Sequence, residues 1–196
     1  MSEWRLFPEG TVPVYATPEW YAGRDAAHHL EEPGQRERLV ATADMARSAA
    51  AGAGLRELVD LGCGDGGLLQ LVGGAFDAAW GYDLQPSNID HARNVRKVDA
   101  RLLDMEGPGI EWAPFAACTE TLEHLVDPHA YVREIAGHAG HLIASSPAFE
   151  TGEAHYEFHL WAWDTAGYRA LLEQAGYTVK AHRLVGGFQI AYAVKP

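Results

Sequence analysis

The sequence has few cysteines and no long apolar segment. Only Cys63 and Cys118 occur in 196 residues, one in a glycine-rich stretch and one in an apolar run, which excludes a disulfide framework of the kind found in small secreted domains. No apolar stretch approaches the ~20 residues that cross a bilayer, and the first residues contain no apolar run of signal-peptide length. We therefore expect a cytoplasmic protein that has no membrane partner.

Positive charge is also scarce. The chain has 15 Lys and Arg against 27 Asp and Glu, a formal net charge of −12, and its basic residues form no run. A phosphate backbone is repelled by such a surface, so nucleic acid is not expected as a partner. The remaining composition, 47% hydrophobic and 21% charged, is that of an ordinary globular protein. It leaves the oligomeric state open.

Short apolar runs alternate with amphipathic segments through most of the chain. This alternation predicts an α/β fold with a parallel sheet and helices on both faces. A final hairpin around Gly186–Gly187 breaks the alternation and fits an antiparallel edge. Residues 1–35 are rich in proline, glycine and aromatic residues, which predicts an irregular N-terminal flap or lid. Residues 36–196 then form a single domain.

The segment VDLGCGDGGLL places a glycine-rich turn between a buried strand and a helix. Gly62, Gly64, Gly66 and Gly67 give the pattern G-x-G-x-G-G, with Asp60 just before the turn. Such a turn exposes backbone N–H groups at the carboxyl edge of the sheet, where ligands bind. A P-loop ending in Gly-Lys-Ser/Thr is absent. The carboxylate favours a cationic or hydroxyl-bearing ligand over a pyrophosphate.

Acidic residues end the next three predicted strands as well. Asp83 follows the glycine turn by about twenty residues, the distance at which an acid can hold both hydroxyls of a ribose. Asp104 and Glu120 end the third and fourth strands. Because the carboxyl ends of parallel strands meet at one edge, these acids are expected to line one crevice.

These segments resemble the class I S-adenosylmethionine-dependent methyltransferases. VDLGCGDGG, GYDLQPSNIDHAR, LLDM and TETLEHLVDP are similar to the first four motifs of that family. HLWAWDTAGYRALLEQAGYTV is similar to the stretch after the fifth strand in its ubiquinone-biosynthesis members. The resemblance covers roughly residues 36–196. It implies a Rossmann-like seven-stranded sheet in the order 3-2-1-4-5-7-6, with strand 7 antiparallel, and an enzyme that uses S-adenosylmethionine.

The resemblance also implies the contacts of the cofactor. Gly62 and Gly64 approach its methionine portion, and Asp83 holds its ribose hydroxyls. The other implied contacts are Asp60 and Cys63 at the glycine turn, Leu84, Asp104 and Met105 around the adenine, and Thr119 and Glu120 near the sulfonium.

A second group of polar residues follows the fourth strand. Glu120, Glu123 and His124 share one face if the chain turns helical here, and His159 occurs later. Carboxylates with imidazole suit a divalent metal such as Mg²⁺, Mn²⁺ or Zn²⁺. The pattern resembles small-RNA 2′-O-methyltransferases and the catechol O-methyltransferases of the ubiquinone pathway, in which a metal holds the acceptor oxygen. Without a metal, His124 is a general base or only a lone polar residue.

The aromatic N-terminal residues either pack the sheet edge or close over the cofactor, and Tyr21 is the predicted contact. Together these features predict methyl transfer to an oxygen or nitrogen of a small-molecule acceptor. Two alternatives stay open: a metal-dependent RNA 2′-O-methyltransferase, which the net charge opposes, and a cofactor-binding module without catalysis, which the acids at every strand end oppose.

Overall fold

A seven-stranded mixed sheet is the centre of the computed structural model, which describes residues 2–11, 13 and 17–196. The strands are β1 (Glu3–Arg5), β2 (Glu57–Leu61), β3 (Ala78–Asp83), β4 (Asp99–Leu102), β5 (Phe115–Thr119), β6 (His141–Pro147), β7 (Trp161–Trp163), β8 (Thr178–Val185) and β9 (Phe188–Val194).

The strand order of this sheet is β4-β3-β2-β5-β6-β9-β8. Strand β9 runs antiparallel to both β6 and β8, and the pairs among β2 to β6 are parallel. Counted from β2 and without β7, this is the order 3-2-1-4-5-7-6 with strand 7 antiparallel. The predicted fold is therefore confirmed.

The helices are α1 (Pro18–Ala22), α2 (Pro33–Ala53), α3 (Gly67–Val72), α4 (Pro86–His91), α5 (Pro128–His138) and α6 (Thr165–Gln174), with a π-helical turn at Ala92–Arg96 and a 3-10 turn at Leu122–His124. Several of them begin and end at recognisable local signals. Proline lies in the first turn of α2, α4 and α5, and Gly54 ends α2 in the left-handed conformation with φ 68°. Asp127 and Asp164 cap α5 and α6 by accepting hydrogen bonds from the backbone of the first turn.

Helices cover both faces of the sheet, so its central strands are apolar on both sides. Alternate residues of β2 belong to different cores: Val59 and Leu61 face one, and Leu58 faces the other. The first core also contains buried residues of α5 and α6, and the second contains residues of α2, α3 and α4. This arrangement leaves the carboxyl edge of the parallel strands open for a site.

The N-terminal segment is more ordered than the predicted irregular flap. Strand β1 pairs antiparallel with β7, Oε2 of Glu3 accepts a hydrogen bond from Nε1 of Trp163 over 2.6 Å, and α1 follows at Pro18. Helix α2 already begins at Pro33. The part of the flap prediction that concerns residues 1, 12 and 14–16 lies outside the described residues, and the boundary between residues 35 and 36 stays a prediction.

Within the described residues, no helix is both long and apolar enough to cross a bilayer. The cytoplasmic location expected above stays a prediction.

Candidate active site

One cavity of about 850 Å³ lies at the carboxyl ends of the parallel strands. Its wall comes from the turns after β2, β3, β4 and β5, from the N-terminal segment and from the loop after β6. Every residue that the sequence singled out for cofactor or metal lines it: Tyr21, Asp60, Gly62, Cys63, Gly64, Asp83, Leu84, Asp104, Met105, Thr119, Glu120, Glu123, His124 and His159.

The turn after β2 needs glycine at two points for different reasons. Gly62 and Gly64 have φ of 79° and 53°, a region that side chains rarely adopt. A Cβ at Gly62 would overlap the Thr121 side chain, whereas a Cβ at Gly64 would meet only the ring of His29, at 3.1 Å. Because Gly64 lines the cavity and carries no side chain, its backbone is accessible to a ligand there.

Asp83 ends β3 and is fixed by three donors. Oδ2 accepts from the backbone N–H of Gly64 over 2.9 Å, and Oδ1 accepts from the N–H of Gln85 over 2.8 Å and from Nδ2 of Asn88 over 3.3 Å. Burial raises the pKa of this carboxyl against the lowering effect of these hydrogen bonds. The side chain thus has one orientation, and its oxygens keep lone pairs for further donors.

Asp60 is a buried carboxylate with an unused oxygen. It is 1% exposed, and its Oδ1 has no hydrogen-bond partner among the described residues. Burial raises its pKa to about 7, although the Arg38 guanidinium acts in the opposite direction. An unpartnered buried carboxylate is costly unless a ligand compensates it, and a cationic group would do so.

Arg38 is a site residue that the sequence reading did not single out. It is 2% exposed, lines the cavity, and donates from Nε to Gln35 over 3.1 Å and from Nη1 to Ser145 over 3.4 Å. Among the described residues, no carboxylate lies within ion-pair distance of it. No local sequence signal marks it, because in the sequence Arg38 is one of several arginines of a helix, and only the fold places it on the face that α2 buries.

The N-terminal segment closes one side of the cavity. Trp20 of α1 packs on Phe158 with ring centroids 5.0 Å apart, and the guanidinium of Arg24 lies 4.3 Å above the Trp20 ring. Tyr21 lines the cavity, and burial raises its pKa to about 12. The segment is bonded to helix α4, where Oδ1 of Asn88 accepts from the N–H of Ala27 over 2.9 Å.

The chain does not continue as an α-helix after β5, as the face-sharing prediction required. Glu120 has φ 53°, a strained conformation for a non-glycine residue of the kind that clusters at functional sites. Its Oε1 accepts from Oγ of Ser145 over 2.8 Å. The helical element that follows is a single 3-10 turn at Leu122–His124, which does not include Glu120, so the predicted helical face does not form.

Glu123, His124 and His159 do come together. One candidate ligand atom from each lies within 4.8 Å of the other two, and Glu120 is not part of this group. Glu123 is 1% exposed, and neither of its carboxylate oxygens has a partner among the described residues. Burial, reinforced by the Glu120 carboxylate, raises its pKa well above the usual range. A cation bound beside Glu123 would relieve this.

Both imidazoles of the group have one nitrogen engaged. Nδ1 of His124 lies 3.2 Å from the carbonyl oxygen of Phe158, and Nδ1 of His159 lies 2.6 Å from Oε2 of Glu150. The two rings meet edge to face with centroids 4.7 Å apart. Burial lowers the pKa of His124 to about 4, so its ring is neutral at pH 7, with Nε2 as the available nitrogen.

Fold and site together define a class I methyltransferase: the strand order, the glycine turn and the acids at the strand ends occur in one molecule. The family profile described as a methyltransferase domain matches residues 32–182. The chain therefore belongs to the methyltransferase domain family and is an S-adenosylmethionine-dependent methyltransferase.

Solved structures show the same fold at low sequence identity. The N-methyltransferase NodS from Bradyrhizobium japonicum, in complex with S-adenosylhomocysteine, is 16% identical with a TM-score of 0.73, covering 93% of this chain and 98% of its own. The magnesium protoporphyrin IX methyltransferase of Synechocystis, also with S-adenosylhomocysteine, is 17% identical with a TM-score of 0.68, covering 91% and 92%. No curated protein sequence matches the chain significantly.

Proposed function

We propose that the protein transfers the methyl group of S-adenosylmethionine to an oxygen or nitrogen of a small-molecule acceptor. The observation that carries this proposal is that the glycine turn, the strand-end acids and the group of Glu123, His124 and His159 line one cavity. The first two match a cofactor site, and the third offers proton acceptors or metal ligands beside it. Cofactor and acceptor can therefore meet in one cavity.

The charged groups near the glycine turn suit the amino acid part of the cofactor. That part carries an ammonium and a carboxylate. The cavity presents the unpartnered Oδ1 of Asp60 and the Arg38 guanidinium, whose hydrogen-bond partners among the described residues are Gln35 and Ser145. We assign the ammonium to Asp60 and the carboxylate to Arg38. Gly64 lets the backbone approach the ligand between them.

The nucleoside part of the cofactor belongs at the ends of β3 and β4. Asp83 takes the ribose hydroxyls with its fixed carboxylate. Asp104 accepts from the N–H of Glu106 with Oδ1 over 3.0 Å, so Oδ2 is available for the adenine amino group. The remaining proposed contacts are Leu84 and Met105 on the faces of the adenine, Cys63 at the turn, Tyr21 from the N-terminal segment, and Thr119 and Glu120 near the sulfonium.

The reaction is an in-line displacement. The bond between methyl carbon and sulfonium breaks, a bond to the acceptor oxygen or nitrogen forms, S-adenosylhomocysteine leaves, and the acceptor loses a proton. Positioning supplies most of the rate, and Nε2 of His124 is placed to receive the proton. A base with a pKa near 4 is weaker than the optimum near 7, which limits this role.

That weakness favours a second form of the same function, in which a divalent metal binds Glu123, His124 and His159. The donor set fits a metal because both oxygens of Glu123 are buried without partners in the described chain and the imidazole rings are held through Nδ1. A bound cation would lower the pKa of an acceptor hydroxyl. An amine acceptor does not need a cation to lower its pKa in this way.

Small molecules suit the site better than nucleic acid does. The net charge of −12 opposes a polyanion, and the cavity has the size of a small-molecule site. Among the structural neighbours, NodS is described as an N-methyltransferase and the Synechocystis enzyme as acting on magnesium protoporphyrin IX. A cofactor-binding module without catalysis would not need an unpartnered buried Glu123.

The test uses tritiated S-adenosylmethionine and two fractions of a cell extract, small molecules and total RNA. We expect label to enter the small-molecule fraction together with release of S-adenosylhomocysteine. The matched blank is Asp83→Ala, which lacks the ribose acceptor. Label in RNA alone would establish the alternative, and cofactor binding by calorimetry without transfer to either fraction would indicate the non-catalytic module.

A further inference from the structure

Glu150 forms hydrogen bonds with both of its carboxylate oxygens inside the loop that joins β6 to β7. Oε2 accepts from Nδ1 of His159 over 2.6 Å, and Oε1 accepts from the backbone N–H of Tyr156 over 2.9 Å. The side chains of Glu150 and His159 are 18% and 10% exposed. This loop thus has one carboxylate that fixes its backbone and its histidine at the same time.

The carboxylate also selects the tautomer of His159. A carboxylate only accepts hydrogen bonds, so its partner Nδ1 must carry a proton. In the neutral ring the lone pair then resides on Nε2, the nitrogen left for the cavity. The same rule applies to His124, whose Nδ1 faces the carbonyl of Phe158, again only an acceptor. In its neutral form, each ring of the pair therefore presents a bare Nε2.

We propose that Glu150 is a positioning residue that holds His159 with an unprotonated Nε2 directed at the reactive end of the cavity. The inference rests on the proposed function, because it is there that a bare imidazole nitrogen binds a metal or an acceptor proton. Of the two groups that fix this pair of rings, the carbonyl of Phe158 is backbone. Glu150 is the one that mutation can change.

The variant Glu150→Gln separates positioning from general support of the loop. Glutamine has the shape of glutamate but one acceptor oxygen, and two donors, Tyr156 N–H and His159 Nδ1–H, require it. If the side-chain oxygen of the glutamine keeps the hydrogen bond from the N–H of Tyr156, its NH₂ group faces Nδ1 of His159. His159 must then move its proton to Nε2, which removes the lone pair from the cavity.

The readout is the tautomer of His159, measured by long-range ¹H–¹⁵N correlation in the full-length protein. We expect the Nδ1–H form in the wild type and a substantial Nε2–H population in Glu150→Gln. Turnover should fall about 10- to 100-fold, as for other groups that orient a reactive histidine, while the dissociation constant for S-adenosylmethionine stays within about twofold. Glu150→Asp keeps both acceptors and should retain the wild-type tautomer with a smaller loss. The matched control is Glu153→Gln, an exposed glutamate of the same loop.

An unchanged Nδ1–H tautomer in Glu150→Gln would overturn the proposal, and so would full turnover in that variant. If Glu150→Gln does not fold, a wild-type tautomer and near-normal turnover in Glu150→Ala at low temperature would overturn it equally. Failure of the proposed function gives a different result: the wild type then shows no methyl transfer, whereas the tautomer shift in Glu150→Gln still occurs.

Discussion

The backbone N–H of Gly64 donates a hydrogen bond to Oδ2 of Asp83 over 2.9 Å. This contact joins the glycine turn after β2 to the end of β3. The other oxygen of Asp83 is held by Gln85 and Asn88, so the carboxylate is fixed before any ligand arrives. A preformed acceptor loses little side-chain freedom on binding, which would strengthen the contact with the ribose that we propose for Asp83.

Replacing Asp83 should therefore weaken cofactor binding. We expect Asp83→Ala to raise the dissociation constant for S-adenosylmethionine at least about tenfold, since a charge-assisted hydrogen bond contributes about 1.5–3 kcal/mol. Calorimetry measures this directly. The control is Asp90→Ala, which removes an exposed acid from α4 and should bind normally. Equal affinities for wild type and Asp83→Ala would refute the ribose assignment.

The glycine turn gives a second prediction. At Gly64 a side chain would have to adopt φ 53° and would lie 3.1 Å from the His29 ring, in the space assigned to the ligand. Gly64→Val should abolish cofactor binding while the circular dichroism spectrum stays native. Gly52→Ala is the matched control, because a Cβ there meets nothing within 4 Å and alanine favours the helix. Normal binding by folded Gly64→Val would show that the ligand does not reach the turn.

Local sequence signals predicted the sheet and most of the cavity wall. The alternation of strands and helices predicted the parallel sheet and the final antiparallel hairpin, and the family resemblance implied the strand order. The pairing of β1 with β7 could not be foreseen, because it joins Trp4 to Ala162 and short strands carry no record of a distant partner. For that reason the sequence predicted no strand in residues 1–35.

Two features of the site also depend on the tertiary structure. Glu120 was expected on a helical face with Glu123, but the chain takes a positive φ at this residue to bond Ser145 of the neighbouring strand. Arg38 and Glu150 are an ordinary helical arginine and a loop glutamate in the sequence. Only the fold brings Arg38 into the cavity and Glu150 to His159.

Asp60 should make both stability and cofactor affinity depend on pH. Burial raises its pKa to about 7 in the folded protein, above the ordinary value of 3.8 for an aspartic acid. Its stabilising contribution is thus fully present below pH 3.8 and is lost as pH rises through 7. The cofactor ammonium prefers the carboxylate, so affinity should rise with pH up to about 7 and then level off.

Asp60→Asn tests both effects. The cofactor-free variant should melt higher than the wild type at pH 8, because it buries no charge, and should bind S-adenosylmethionine more weakly with little pH dependence below 7. Thermal melts and calorimetry between pH 5 and pH 8 measure this. The control is Asp77→Asn, which changes an exposed acid instead of the buried Asp60. Parallel pH profiles for Asp60→Asn and wild type would exclude the role of Asp60.

The group of Glu123, His124 and His159 predicts how the protein responds to metal removal. If a metal binds there, EDTA should abolish turnover, and Mn²⁺, Mg²⁺ or Co²⁺ should restore it. Glu123→Gln, His124→Ala and His159→Ala should each weaken Mn²⁺ binding at least about tenfold, measured by electron paramagnetic resonance, with cofactor affinity within a few fold. Glu153→Gln is the matched control, since Glu153 is an exposed glutamate of the loop before His159, and should bind Mn²⁺ normally.

The same variants test the alternative, in which no metal binds and His124 is the general base. Turnover that survives EDTA but is lost in His124→Ala would exclude the metal and leave His124 as the general base. Because burial lowers its pKa to about 4, the rate should then be flat from pH 6 to pH 8 and should fall only as the ring becomes protonated in more acidic solution. Retained turnover in both His124→Ala and His159→Ala would mean that neither imidazole takes part and that the methyl group is transferred by positioning alone.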